Sequence, residues 1–158
     1  MIYLYSDCNI VKKQFLMKYG VSPVLDIGCG NHPYWINSLD IIGLDLCNIN
    51  ADVIGDAHIL PFRDNVFNTI LLFDILEHST YYGLILDEAI RVARDNAIFL
   101  ISVPYGDGYS AEHDNSHMHT YTIKTVSQAI RSHGLNIIEV YRYCKLRDNI
   151  IIVAENKY

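Results

Sequence analysis

Residues 24–30 read Val-Leu-Asp-Ile-Gly-Cys-Gly, a short apolar run that holds one acid and ends in a Gly-x-Gly turn. Two further acidic turns follow, in Gly43-Leu44-Asp45-Leu46 and in Gly55-Asp56-Ala57. Each run predicts a buried strand, and an open parallel sheet binds its ligands at the carboxyl ends of such strands. Three carboxylates at successive strand ends therefore predict a nucleoside-containing ligand whose ribose and base are bound by acids.

The glycine turn departs from the dinucleotide-binding pattern. In G-x-G-x-x-G motifs three glycines bring a pyrophosphate onto a helix N-terminus. Here Gly28 and Gly30 are followed by Asn31-His32-Pro33, so the third glycine is absent. Asp26 would also place a negative charge beside any pyrophosphate. An NAD(P)-dependent oxidoreductase is thereby disfavoured, although it stays open as an alternative.

The two later acids can be given separate roles. Asp45 lies close to the offset of about 20 residues at which an acid reaches a ribose hydroxyl. The Asp56 carboxylate could accept from an adenine amino group while the Ala57 N–H donates to a ring nitrogen. Either acid alone could simply end a strand on a solvated turn, but all three together favour ligand binding.

Residues 24–104 resemble the class I S-adenosylmethionine-dependent methyltransferases, in particular their type 11 branch. The ordered motifs that carry the resemblance are the stretches 24–30, 43–46, 56–62, 65–70, 73–78, 88–92 and 97–104. The family usually has Asp where Asn68 stands. The resemblance implies that S-adenosylmethionine is the cofactor and that the chain is an enzyme.

The resemblance also implies a role for each motif residue at the cofactor. Asp26, Gly28 and Gly30 would hold the methionine end, Asp45 the ribose, and Asp56 with Ala57 the adenine. From its position at the exit of the fourth strand, Asp74 would lie beside the reacting methyl or orient the cofactor's amino group. The predicted cofactor set is completed by their neighbours Cys29, Leu46 and Phe73.

The apolar pattern predicts an α/β fold: a Rossmann-like, doubly wound sheet with helices on both faces, in one domain over residues 1–158. Seven strands are expected, at Val24–Ile27, Ile41–Leu44, Val53–Ile54, Thr69–Phe73, Ile98–Val103, Asn136–Tyr143 and Ile150–Ala154. Helices are expected at about 9–19, with Asn9 as the cap, and at Tyr34–Asn37, Tyr82–Ala93 and Ile123–Ser132. The short turn at 147–149 allows only an antiparallel hairpin, so one strand should run against a mostly parallel sheet.

Composition bounds the class of protein. No apolar run approaches the roughly 20 residues needed to span a bilayer, and no export signal is visible. The cysteines are scattered, without a C-x-x-C pair, which predicts reduced thiols in a cytoplasmic protein; zinc or a disulfide is the alternative. These cysteines are Cys8, Cys29, Cys47 and Cys144.

Charge argues against a groove that grips nucleic acid. The formal net charge is −6, and no stretch clusters Lys and Arg beyond Lys12-Lys13. An acidic balance suits the positively charged sulfonium of S-adenosylmethionine. We therefore expect a methyl transfer to an O, N or C nucleophile, with a small-molecule acceptor favoured and a protein or RNA acceptor left open.

Three histidines are candidates for orienting or deprotonating the acceptor. His78 follows the fourth strand, and His113 and His117 lie in the segment 105–121, whose length is typical of a functional loop. Glu112, His113, His117 and His119 resemble metal ligands in type, but no H-E-x-x-H is present. The segment is predicted to be a substrate wall and no metal centre is predicted.

The N-terminal side is short for this family. Only 23 residues precede Val24, where many relatives place additional helices. We expect an open acceptor side that a second copy, a partner protein or a large substrate would cover. A non-catalytic S-adenosylmethionine-binding subunit of a methyltransferase complex stays open as an alternative.

Overall fold

A computed structural model describes residues 8–31, 36–106, 115–143 and 148–157 of the 158-residue chain. Its strands are β1 Val24–Ile27, β2 Ile41–Asp45, β3 Val53–Ile54, β4 Phe67–Phe73, β5 Ala93–Pro104, β6 Leu135–Tyr143 and β7 Asn149–Asn156. They form one sheet in the order β3-β2-β1-β4-β5-β7-β6. Only β7 runs against the others, pairing antiparallel with both β5 and β6, as the short turn predicts.

Three α-helices and one 3₁₀ turn connect the strands in the described part of the chain. They are α1 Cys8–Tyr19, the 3₁₀ turn Leu76–His78, α2 Tyr82–Val92 and α3 Ile123–Ser132. α1 packs through Val11 and Leu16 on one face of the sheet, whereas α2 and α3 pack through Leu86 and Ile130 on the other. The predicted Rossmann-like sheet with helices on both faces is therefore confirmed.

Side chains that alternate in direction along the strands produce two apolar cores, one on each face of the sheet. In β4, Ile70 and Leu72 join the cluster under α2 and α3, while Leu71 and Phe73 join the cluster under α1. Successive strand residues point to opposite faces, so a strand covered on both sides must be apolar throughout. Each fully buried Leu or Ile contributes about 1.5–3 kcal/mol relative to its exposed state.

Element ends differ from the predicted ones where local pairing extends them. β5 begins at Ala93 rather than Ile98, because Ala93 pairs with Phe67 directly after α2. Asn9 does not cap α1, which already contains it. At α3 the cap is Thr122, whose hydroxyl accepts from the Thr125 N–H at 3.2 Å.

The helix predicted at Tyr34–Asn37 is wrong in its described half. Ile36 and Asn37 are not helical, because the Leu39 N–H donates to the Ile36 carbonyl at 2.9 Å in a turn that leads into β2. Tyr34 lies outside the described residues. No described helix is both long and apolar enough to cross a membrane.

Asn68, where the family resemblance expects Asp, has a structural role. Its side-chain amide donates to the Ser22 carbonyl at 2.5 Å, and its backbone N–H donates to the Pro23 carbonyl at 2.9 Å. A carboxylate could not donate the first bond. Asn68 thus links the start of β4 to the residues that lead into β1. This contact lies at the amino ends of these strands, opposite the carboxyl ends that carry the acids.

Candidate functional site

A cavity of about 290 Å³ opens at the carboxyl ends of the parallel strands. Its lining contains most of the residues predicted from the three acidic turns and the fourth strand. They are Gly28, Asp45, Leu46, Asp56, Ala57, Asp74 and His78. The remaining predicted cofactor residues, Asp26, Cys29, Gly30 and Phe73, lie on the same strand ends but do not line this cavity.

The turn after β1 is fastened to the end of β2. The N–H groups of Gly28 and Cys29 donate to the Leu44 carbonyl at 2.8 and 3.1 Å. Gly28 and Gly30 have φ of +73° and +53°, a region that glycine adopts without steric cost. Burial raises the pKa of the Cys29 thiol to about 12, so this side chain stays protonated.

Asp45 is held rigidly by backbone donors. Its Oδ2 accepts from the Gly30 N–H at 3.0 Å, and its Oδ1 accepts from the N–H groups of Cys47 and Asn48 at 3.1 and 3.0 Å. Oδ1 already has two donors, whereas Oδ2 has one donor from the backbone and a second lone pair. Asp45 can therefore keep these bonds and still accept from a ligand hydroxyl through Oδ2.

Asp56 belongs to a small network at the cavity wall. Its Oδ1 lies 2.9 Å from the His58 backbone nitrogen and 2.6 Å from His58 Nδ1. These bonds, the backbone one foremost, hold the pKa of Asp56 below its usual range. His58 Nε2 lies 2.7 Å from the Ser79 hydroxyl, so the network fixes the imidazole on both sides.

A buried charge cluster lies on the α1 side of these strand ends. Lys12 is 1% exposed and its ammonium pairs with Asp74, whose other oxygen accepts from the Ser102 hydroxyl at 2.7 Å. Asp26 is also 1% exposed, and no described residue donates a hydrogen bond to its carboxylate. Burial raises the pKa of Asp26 to about 7, an effect that Asp45 reinforces and Lys12 opposes.

Two histidines meet beside the cavity. The ring centroids of His78 and His117 lie 4.8 Å apart, and His78 Nδ1 lies 3.1 Å from the Ser116 hydroxyl. His117 therefore reaches the cavity rim from a segment almost forty residues downstream of His78. His113, the third predicted histidine, lies outside the described residues.

Residues 9–140 match the model of a family described as a methyltransferase domain. The chain belongs to this family. The match decides between the enzyme classes left open by the sequence, because it favours methyl transfer over hydride transfer. The methyltransferase uses S-adenosylmethionine as its methyl donor.

Solved structures share the fold of this methyltransferase. An S-adenosylmethionine-dependent methyltransferase from Aquifex aeolicus is 16% identical, with a TM-score of 0.74 over 95% of this chain and 94% of that chain. The Burkholderia thailandensis 1,6-didemethyltoxoflavin-N1-methyltransferase, with 1,6-didemethyltoxoflavin and S-adenosylhomocysteine bound, is 16% identical, with a TM-score of 0.73 over 95% of this chain and 76% of that chain. One chain of the complex between the Haloferax volcanii Trm112 methyltransferase activator and a methyltransferase is 16% identical to this chain, with a TM-score of 0.77 over 92% of this chain and 88% of that chain. No curated protein sequence matches the chain.

The charges at the site fit the methyl donor. S-adenosylmethionine carries a sulfonium and an ammonium beside one carboxylate, and the site offers Asp26 and Asp74 beside the ammonium of Lys12. A buried carboxylate is costly unless a positive group compensates it. The carboxylate of Asp26 therefore favours a cationic ligand over a pyrophosphate.

Three polar side chains at the methyltransferase site were not among the predicted residues. His58 and Ser79 line the cavity and Lys12 lies in the buried charge cluster. The signal for Lys12 was its position on the apolar stripe of α1, four residues before the fully buried Leu16. A lysine on such a stripe is buried only when a charge partner lies opposite.

Two glycine substitutions should have different effects in the methyltransferase. An alanine Cβ at Gly28 would lie 2.7 Å from Ile75 Cδ1, whereas one at Gly30 meets no atom within 4 Å. Both positions cost about 1–2 kcal/mol of backbone strain, and the clash adds to this cost in Gly28→Ala. We expect a larger fall in melting temperature for Gly28→Ala than for Gly30→Ala, measured by thermal unfolding followed by circular dichroism. Equal falls in melting temperature in the two variants would contradict the close packing of Gly28 against Ile75.

Proposed function

We propose that this methyltransferase transfers the methyl group of S-adenosylmethionine to an O, N or C nucleophile of a small molecule, with the cofactor in the cavity at the strand ends. The observation that carries the proposal is the convergence of Asp45, Asp56 and Asp74 on one cavity. These acids lie at the carboxyl ends of three different strands, β2, β3 and β4, and all three line the same cavity.

In the proposed pose the cofactor lies across the strand ends. Adenine lies at Asp56 and the Ala57 N–H, and a ribose hydroxyl donates to Asp45. The methionine end points toward the turn at Gly28–Gly30 and toward the buried charges. There Lys12 pairs with the cofactor carboxylate, and Asp26 and Asp74 accept from its ammonium.

The acceptor approaches from the side of His78. Methyl transfer is an in-line displacement, so holding the nucleophile about 3–3.5 Å from the methyl carbon supplies most of the rate. His78 lines the cavity and His117 contacts it, which favours these two side chains for orienting the acceptor or removing its proton. His113 remains a candidate from the sequence.

A small acceptor is supported by charge and by a relative. The net charge of −6 opposes binding of a polyanion. The Burkholderia structure holds a small molecule, 1,6-didemethyltoxoflavin, together with S-adenosylhomocysteine. A protein partner or second copy over the acceptor side remains a prediction, in keeping with the activator present in the Haloferax complex.

Calorimetry with S-adenosylhomocysteine tests the proposed pose through Asp45. Asp45→Ala should weaken binding by about tenfold or more, because hydrogen bonds to charged groups contribute about 1.5–3 kcal/mol. The control is Asp40→Ala, which removes an exposed carboxylate just before β2, at the opposite end of the same strand. The control should leave the affinity unchanged.

A second ligand separates a direct contact from a structural role of Asp45 in its turn. Removing one ribose hydroxyl, in the 2′-deoxy analogue of S-adenosylhomocysteine, should weaken binding to the parent chain. Asp45→Ala should bind the two ligands with equal affinity, because the carboxylate that would accept from the hydroxyl is already absent. An equal penalty in both proteins would refute the ribose assignment, and no heat with the parent chain would refute the proposed function.

A further inference from the structure

Glu77, His78 and His117 bring one carboxylate and two imidazoles together beside the cofactor cavity. Candidate ligand atoms of the three side chains all lie within 4.8 Å of one another. Glu77 is 1% exposed, whereas His78 lies at the surface and also lines the cavity. The group therefore extends from the protein interior to the rim where the acceptor is expected.

Backbone hydrogen bonds hold the two segments that supply these side chains. The Met118 N–H donates to the Glu77 carbonyl at 2.7 Å, and the His119 N–H donates to the same oxygen at 3.3 Å. The Tyr121 hydroxyl donates to the Leu76 carbonyl at 3.4 Å. These bonds join the 3₁₀ turn to the residues that directly follow His117.

The His78 ring is oriented by a neighbour outside the group. The hydroxyl and the carbonyl oxygen of Ser116 lie 3.1 and 3.4 Å from His78 Nδ1. A partner on Nδ1 fixes the ring and leaves Nε2 for another contact. Metal-ligating histidines commonly have such a partner on the nitrogen that does not bind the metal.

We propose that Glu77, His78 and His117 form a binding site for one divalent transition-metal ion. Ligand atoms about 2.0–2.2 Å from one ion lie about 3.5 Å apart, so side-chain rotations close the present spacing. Two imidazoles select Zn²⁺, Fe²⁺, Co²⁺ or Ni²⁺ over Mg²⁺ and Ca²⁺, and three protein ligands leave a position open. The buried carboxylate of Glu77 would then face a positive charge.

The site differs from the ligand set that the sequence suggested. Only His117 belongs to both ligand sets. Glu77 and His78 lie about forty residues before His117 in the sequence, and the backbone hydrogen bonds of the 3₁₀ turn bring them close to it. The role of the ion rests on the proposed function: its open position faces the cavity and would hold an oxygen atom of the acceptor next to the methyl group.

Cobalt(II) titration of the intact chain tests the site. Co²⁺ gives visible absorption bands that report its ligands, and a thiolate ligand would add a strong near-ultraviolet band. We expect one Co²⁺ per chain without the thiolate band, and binding weakened by more than about tenfold in Glu77→Gln and in His117→Asn. The matched control is His133→Asn, which removes an imidazole paired with the Asp87 carboxylate at 2.7 Å outside the group. It should bind Co²⁺ as the parent does.

Calorimetry with S-adenosylhomocysteine on the same variants separates the two proposals. His117→Asn should retain its affinity for this ligand, and this retained affinity would show that the variant is folded. His117→Asn therefore still tests the metal site if Glu77→Gln fails to fold. The metal site is overturned if the parent binds no Co²⁺, if the thiolate band appears, or if His117→Asn binds Co²⁺ as tightly as the parent. Co²⁺ binding without S-adenosylhomocysteine binding would instead refute the proposed function and leave the metal site standing.

Discussion

Replacing Lys12 by methionine is expected to lower the free energy of unfolding by about 2–4 kcal/mol. Methionine keeps the length and apolar contacts of the lysine stem but leaves the carboxylates of Asp74 and Asp26 without its positive charge. Removing one member of a buried ion pair costs about 3–5 kcal/mol. The lower range is expected here because the Asp74 side chain is 38% exposed. Urea unfolding at pH 8 measures the effect.

The adjacent residue provides the control for this prediction. Lys13 is exposed on the same helix, so Lys13→Met should change the free energy of unfolding by less than about 0.5 kcal/mol.

A double variant tests whether Lys12 and Asp74 are energetically coupled. Asn tolerates the left-handed backbone of Asp74 (φ +55°), which makes Asp74→Asn a mild partner variant. The double variant Lys12→Met/Asp74→Asn should regain part of the lost stability, because the Asp74 charge next to the methionine is then gone and only the Asp26 carboxylate remains. Additive losses would contradict an energetically coupled pair.

Lys12 also illustrates why the acids were easier to predict than their surroundings. Asp45 and Asp56 follow apolar runs, so their place at the strand ends is encoded within a few residues of sequence. Lys12 reaches the same place from helix α1 and pairs with Asp74, which is 62 residues away in the sequence. A contact of that separation depends on the crossing of α1 over the sheet, which no local pattern contains.

The same distinction applies to the rest of the site and to the fold. The strands were predicted from apolar runs, and the direction of β7 followed from a turn too short for a crossover. The predicted helix at Tyr34–Asn37 lacked a long apolar period and was wrong at Ile36. Glu77 was not recognised as a possible ligand because its neighbours in space come from residues 115–121, and only the folded backbone places them together.

The affinity for S-adenosylhomocysteine should rise about 50-fold between pH 5 and pH 7 through Asp26 alone. The pKa of Asp26 is raised to about 7 in the folded protein, so at pH 5 the carboxyl must lose its proton before it can accept from the ligand ammonium. An α-amino group stays protonated in this range, since its pKa is about 7.7–8.0. Calorimetry across this range should therefore show proton release in the parent chain.

Asp26→Asn is the control, because an amide does not titrate. Its affinity should equal or exceed that of the parent at pH 5, fall below it at pH 7, and change little between the two. Without ligand, the raised pKa of Asp26 means that stability present below the unfolded pKa of 3.8 is lost as the pH rises through about 7. Between pH 5 and pH 8 the parent should lose about 2–3 kcal/mol of stability relative to Asp26→Asn. Parallel pH profiles of binding in the two proteins would show that the Asp26 carboxylate does not contact the ammonium of the cofactor.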